Sequence, residues 1–293
     1  MRPCNVKQVL IFGLSALLFS GTAAAFSVEL AVGQDDNLNN APDDAEQVDS
    51  LTYTLRAQQM WSPWQASRAG LDTGLSAQWH QLDEVSELSW LGLSAQASAW
   101  TALGSGLLAP SLTLMSQLGW RDYRSRARDG EFVQADLILG QRLTTQITAQ
   151  LQAGWQQRNA RYAYYEGDQL TYGAAVQWSP TRQLRAFVQH DWRQGDLTVS
   201  IAPDDGRFDG SGLSYGMDDA FDGFKSYRVD SDGQITSLGV SWQPSMALSL
   251  SLRATRISND AAKYPAAPGA GSAYVYAGEY QRTQTALSVF YRF

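Results

Sequence analysis

The chain has 293 residues, 44% of them hydrophobic and 11% aromatic, with one cysteine and a formal charge of −7. That acidic balance excludes the basic footprint of a nucleic-acid-binding protein, and a lone thiol excludes a disulfide framework or a thiolate metal centre. Past the first residues no stretch approaches the roughly 18 consecutive apolar residues of a membrane-spanning helix.

Taken from the start, Arg2 and Lys7 precede an apolar run from Val9 to Phe19, and Ala23-Ala24-Ala25 comes after it. This is the order of a secretory signal peptide: positive region, short apolar region, small residues at the cleavage site. Residues 1–25 are predicted to be removed, taking Cys4 with them, and 26–293 to form one domain. All the acids lie in that domain, so the exported chain is the more acidic form.

From Phe26 onward the chain repeats a dyad, apolar then polar, for about ten residues at a time. In chain order it predicts strands over 26–34, 50–61, 68–81, 88–102, 111–124, 131–143, 146–159, 169–179, 183–200, 234–243, 247–258 and 276–293. In the seventh, Ile147, Ala149, Leu151, Ala153 and Trp155 fall on one face, and Thr148, Gln150, Gln152, Gln156 and Arg158 on the other. Charges are almost absent from the apolar faces. An Arg or Lys there would cost about 2–4 kcal/mol only if that face met hydrocarbon.

The pattern implies an all-β fold: a transmembrane antiparallel up-and-down barrel of about 12 strands, its last strand closing on its first. Fourteen stay open if 202–233 hides a hairpin. Tryptophans support the register. Trp79, Trp120, Trp155 and Trp192 close strands at one end, and Trp61, Trp178 and Trp242 close those running back. Two interfacial girdles result. Short connections alternate with long ones, at 35–49, 202–233 and 259–277. This predicts periplasmic termini and extracellular loops in a cell outer membrane, against lipid and lipopolysaccharide.

The inward register collects Arg56, Arg121, Arg142, Arg158, Arg185, Arg193, Arg253, Arg282 and Arg292 against Glu29, Asp72, Asp136 and Asp191. One reading is a narrow pore with positive walls, for small anionic or polar solutes. The other is a non-conducting structural or surface-interaction barrel whose lumenal charges pair and close it. The loops are acidic; Asp230-Ser231-Asp232-Gly233 lacks the ligand spacing of a calcium loop, so no metal and no cofactor are expected. His190 is followed by Asp191 and Trp192 with no serine of a catalytic set, and His80, though near Asp83 and Glu84, needs no such role at a polar rim; no enzyme activity is expected.

Leu287, Val289, Tyr291 and the terminal Phe293 resemble the C-terminal signature of Gram-negative outer-membrane barrels. The resemblance implies recognition by the barrel-assembly machinery during biogenesis. The stretch from Val32 to Pro42, with Gly33, Asp35 and Asn37, is similar to one in barrels of the surface-lipoprotein assembly modulator family and of exopolysaccharide loci. It implies a role in exporting a surface lipoprotein or polysaccharide.

Overall fold

A computed structural model describes residues 24–42, 44–201, 213–265, 274–277 and 280–293. The predicted signal peptide thus lies almost wholly outside the described residues. In chain order the strands are β1 (Ala24–Asp35), β2 (Ser50–Gln65), β3 (Ala69–Leu82), β4 (Trp90–Ala102), β5 (Ser111–Tyr123), β6 (Gly130–Arg142) and β7 (Ile147–Arg158). The others are β8 (Gly167–Trp178), β9 (Leu184–Ile201), β10 (Tyr215–Met217), β11 (Lys225–Trp242), β12 (Leu248–Pro265), β13 (Tyr274–Ala277) and β14 (Tyr280–Arg292).

Twelve of these close into an antiparallel barrel. Each of β1 to β8 pairs with the next, β9 pairs with β11, β11 with β12 and β12 with β14, and β14 returns to β1. Closure leaves no open edge, which a lipid-spanning sheet requires because hydrocarbon offers backbone groups no partner. The short β10 and β13 pair only with β11 and β12 and take no part in closure.

The two faces separate as the dyads require. Leu30, Leu55, Leu93, Leu118, Leu151, Val188, Leu238, Leu252 and Leu287 are all exposed, Leu151 by 59% and Leu118 by 61%. Apolar side chains this exposed around the whole circumference form the outer band of a membrane barrel. Register places Leu30 opposite Leu55, and Leu151 between Leu139 and Ala174, so the band runs continuously across strand pairs.

Two tight turns at the end where β1 starts and β14 ends share a device. Thr144 Oγ1 accepts the Gln146 and Ile147 N–H groups, and Thr181 Oγ1 accepts those of Gln183 and Leu184. A hydroxyl bonding backbone two and three residues on stabilises a reversal. β2 bulges between Trp61 and Trp64, where Pro63 has no N–H to donate. The strand continues to Gln65, past its predicted end at 61, and leaves Trp64 exposed.

The largest departure from the sequence reading is β11. Predicted from residue 234, it begins at Lys225, so Asp230 and Asp232 belong to a strand and not to an acidic loop. β9, β11 and β12 each run 18 residues, and the wall rises on that side. Acids on the outer face of a strand signal a loop only while that face meets lipid. Beyond the bilayer it meets water, and the dyad continues with its polar half outside.

Candidate functional site

The candidate site is the lumen and its mouth at the end opposite the termini. Pairing across the sheet fixes which side chains share the inner face. Glu29 is opposite Arg56, Asp72 opposite Ser98, Gln152 opposite Gly173 and Gly173 opposite Asp191. Every arginine and acid assigned inward from the dyads takes the inner register of its strand. Arg142, Arg185 and Arg292 stand at the terminal end and are exposed; of the others, further along the barrel, Arg253 is exposed and the rest are half-buried.

Midway down, the acids bind amides. Gln152 Nε2 donates to Asp191 Oδ1 at 2.6 Å and Gln189 Nε2 to Oδ2 at 2.7 Å. The first bond crosses a whole strand, and Gly173 makes that reach possible: a Cβ there would stand 2.0 Å from Asp191 Oδ1. Gln134 likewise donates to Asp136, and Ser62 to Asp72.

Of the nine arginines, three lie against aromatic rings and a fourth binds neutral acceptors. The Arg121 guanidinium sits 4.8 Å from the centre of the Trp90 ring and 4.7 Å from that of Phe132. Arg158 lies over Tyr123 and Arg253 over Phe187, at 5.8 and 5.7 Å. Arg193 donates to Asn259 Oδ1 and the Tyr280 hydroxyl. Arg282 differs: it forms an ion pair with Asp35. Among the described residues it is the only lumenal arginine of the nine with a carboxylate within 4.0 Å.

The aromatic partners Trp90, Tyr123, Phe132 and Phe187 are absent from the sequence-derived set. Their inner register was readable from the dyads, but an aromatic in a polar lumen gives no signal by type alone. His80 belongs with them: its ring bonds the Thr54 hydroxyl at 2.9 Å and stacks on Trp90. His190 faces outward, bonded to Thr236 and edge-on to Trp192. The girdle tryptophans Trp79, Trp120, Trp155 and Trp192 also face outward, 38–41% exposed, with Trp178 and Trp242 about half exposed at the other end. Trp61 is half-buried beside the bulge. At the chain's end Phe293 packs against Phe26 and edge-on to Tyr291, while Leu287 and Val289 lie in the outer band.

Two loop clusters shape the mouth. The first loop folds across the rim toward β9 at Asn39 and Asn40: Asn40 Nδ2 donates to the Thr198 carbonyl at 3.0 Å, and the Ser200 N–H to the Asn39 carbonyl at 3.0 Å. Asn37 and Asn39 are fully or almost fully buried, and Asn40 takes a positive φ of 54°, a conformation asparagine tolerates better than most residues. Beneath lies an apolar cluster of Leu197, Val199, Ile201, Tyr227, Val229, Ile257 and Tyr280 on the inside of the tall wall.

The second cluster ties three loops. Arg128 pairs with Asp218 at 3.0 Å and lies 3.9 Å over the Tyr165 ring. Asp218 also accepts from the Ser200 and Ser226 hydroxyls. Asp219 accepts from Tyr165 and Ser125. Burial pushes the Asp218 carboxyl up, but Arg128 and the two hydroxyls outweigh it and hold the group below the ordinary carboxylate range. Burial pushes the Tyr165 phenol well above its usual value. Between the clusters lies a cavity of about 220 Å³.

No family model and no curated protein matches the chain. Among solved structures, an outer membrane channel from Pseudomonas putida F1 aligns over 94% of this chain and 97% of its own, with a TM-score of 0.58 and 8% identity. The KdgM porin in complex with disordered oligogalacturonate aligns over 91% and 99%, with a TM-score of 0.46 and 10% identity. The transport unit of the autotransporter AIDA-I from Escherichia coli aligns over 100% of both chains, with a TM-score of 0.47 and 11% identity. The first of these likenesses is one of fold: this chain has the barrel architecture of an outer-membrane protein.

Proposed function

We propose that the chain is an outer-membrane barrel whose lumen is a narrow pore for small anionic or polar solutes. The observation that carries this reading is the arginine arrangement. Of the nine lumenal arginines only Arg282 has a carboxylate counter-ion among the described residues. Lumenal charges that paired across the barrel would cancel one another. Arginines resting on aromatic rings keep their field, and in a narrow tube with low-dielectric walls that field concentrates anions.

The first loop and the apolar cluster beneath it favour a second state of the same barrel, narrowed at the mouth. In the stretch from Val32 to Pro42, Asp35 binds Arg282, and Asn37 binds the backbone of Ala41 and Gln281. Those contacts serve the fold of the mouth and give no separate support to an export role. We place both termini in the periplasm and the rising wall outside, with lipopolysaccharide around the outer band and the assembly machinery engaging β14. His80 and His190 carry no reaction in this proposal.

The test is conductance of the refolded chain in a planar bilayer under a potassium chloride gradient. A reversal potential of the sign set by chloride permeation is expected. Complete absence of conductance, or cation preference, overturns the reading.

A further inference from the structure

We propose that the cavity at the mouth binds a small hydroxylated carboxylate, with Arg158 holding the carboxylate and Gln156 a neighbouring hydroxyl. The proposal deepens the pore reading and rests on it for the arrival of an anion at this end. The cavity, about 220 Å³, is lined by Arg158 and Gln156 with Leu38, Asn40, Gln169 and Phe221 among its other walls. At roughly 30 Å³ of liquid volume per water, it accommodates a single small organic acid.

The choice of ligand comes from which lining groups are already used. Asn40 donates to Thr198 and accepts from Arg282, and Gln169 donates to the Asp196 carbonyl. Arg128 is paired with Asp218 and Asp219, and the Asp196 and Glu166 carboxylates share Arg228. Arg158 and Gln156 remain: among the described residues neither side chain has a hydrogen-bond partner, and Arg158 has no carboxylate within 4.0 Å. Its guanidinium lies 5.8 Å from the centre of the Tyr123 ring, a surface that holds a guanidinium in place without neutralising it.

These two side chains sit two residues apart on the inner face of β7, which sets their attachment points about 7 Å apart. A guanidinium fork takes both oxygens of a carboxylate in one plane. An amide at that distance reaches a hydroxyl on the adjoining carbons. Arg121, held between Trp90 and Phe132, adds a second positive charge nearby without entering the contact. Leu38 and Phe221 supply apolar wall for the carbon chain.

The test is calorimetric titration of the refolded full chain in detergent with sodium gluconate, against glucose and inorganic phosphate. Gluconate is expected to bind, and glucose to bind at least about tenfold more weakly. Arg158→Gln should weaken gluconate by about tenfold or more, and Arg158→Lys, which keeps the charge and loses the fork, by about half that factor. Arg182→Gln, in the exposed turn before β9 at the far end, should leave it unchanged. Resistance to unfolding in cold detergent shows that each variant is folded.

Equal affinity for gluconate and glucose, or for gluconate and phosphate, overturns the ligand assignment. An unchanged affinity in folded Arg158→Gln overturns the site. Bilayer recording on the same preparations separates the two readings: anion-selective conductance without gluconate binding sinks the site alone, and binding without conductance sinks the pore.

Discussion

Arg282 on β14 donates from Nε to both carboxylate oxygens of Asp35 at the end of β1, at 2.8 and 3.1 Å. Its Nη1 reaches the Asn40 amide oxygen at 3.0 Å, and Asn40 in turn binds the Thr198 carbonyl on β9. One guanidinium thus fastens the seam between the first and last strands and carries the first loop across the rim. The Asp35 side chain is 4% exposed, so removing its partner leaves a buried charge.

Arg282→Met is expected to destabilise the mouth by on the order of 3 kcal/mol and to release the loop. Proteolysis within 36–49 should accelerate, and single-channel conductance should rise. Unchanged proteolysis would show that Asn37 and Asn39 hold the loop without the ion pair.

Acid should act on the second cluster. A carboxyl held below its ordinary pKa contributes stability that is present above the unfolded value, about 3.9, and is lost as pH falls through the lowered folded value. Asp218 is such a group. Hydrogen-exchange protection of the Ala220 and Phe221 amides, which donate to Asp218, should therefore stay high from neutral pH to about pH 4 and fall below it, measured against the intrinsic rate at each pH. Asp218→Asn should show the lowered protection already at neutral pH.

The barrel was readable from the sequence because lipid and lumen impose opposite demands on successive residues. For β7 the dyads predict 146–159, and the strand spans Ile147–Arg158. Where that contrast fades, so does legibility. Asp230 and Asp232 sit on a strand whose outer face has left the bilayer, and they read as loop. The mouth was hidden for another reason: Asn40 meets β9 at the Thr198 carbonyl and Asn39 at the Ser200 N–H, about 160 residues away in sequence, and backbone groups carry no sequence signature. For the Arg128–Asp218 pair a signal did exist, in the run Arg124, Arg126 and Arg128 facing an acidic loop. Which arginine met which acid was set by the folding of both loops.

Gly173 marks a place where packing and charge meet. A Cβ there would stand 2.4 Å from the His190 carbonyl oxygen as well as against the Asp191 carboxylate. Gly173→Ala is expected to cost about 1–3 kcal/mol, read as a lower urea midpoint for the folded form, and to break the Gln152–Asp191 bond that crosses the strand.

The face assignment can be tested on adjacent residues of one strand. Leu151 is 59% exposed on the outer face of β7, and Gln152 turns inward to Asp191. Leu151→Arg places a cation in hydrocarbon at a cost of about 2–4 kcal/mol, and should depress the yield and urea midpoint of the refolded barrel in lipid vesicles. Gln152→Arg adds the same side chain to a polar lumen beside a carboxylate that can receive it. It should fold with near-native stability and, by adding lumenal charge, strengthen anion preference. Equal damage from both would mean that the inner face is packed shut at mid-depth, and the pore would lose its path there.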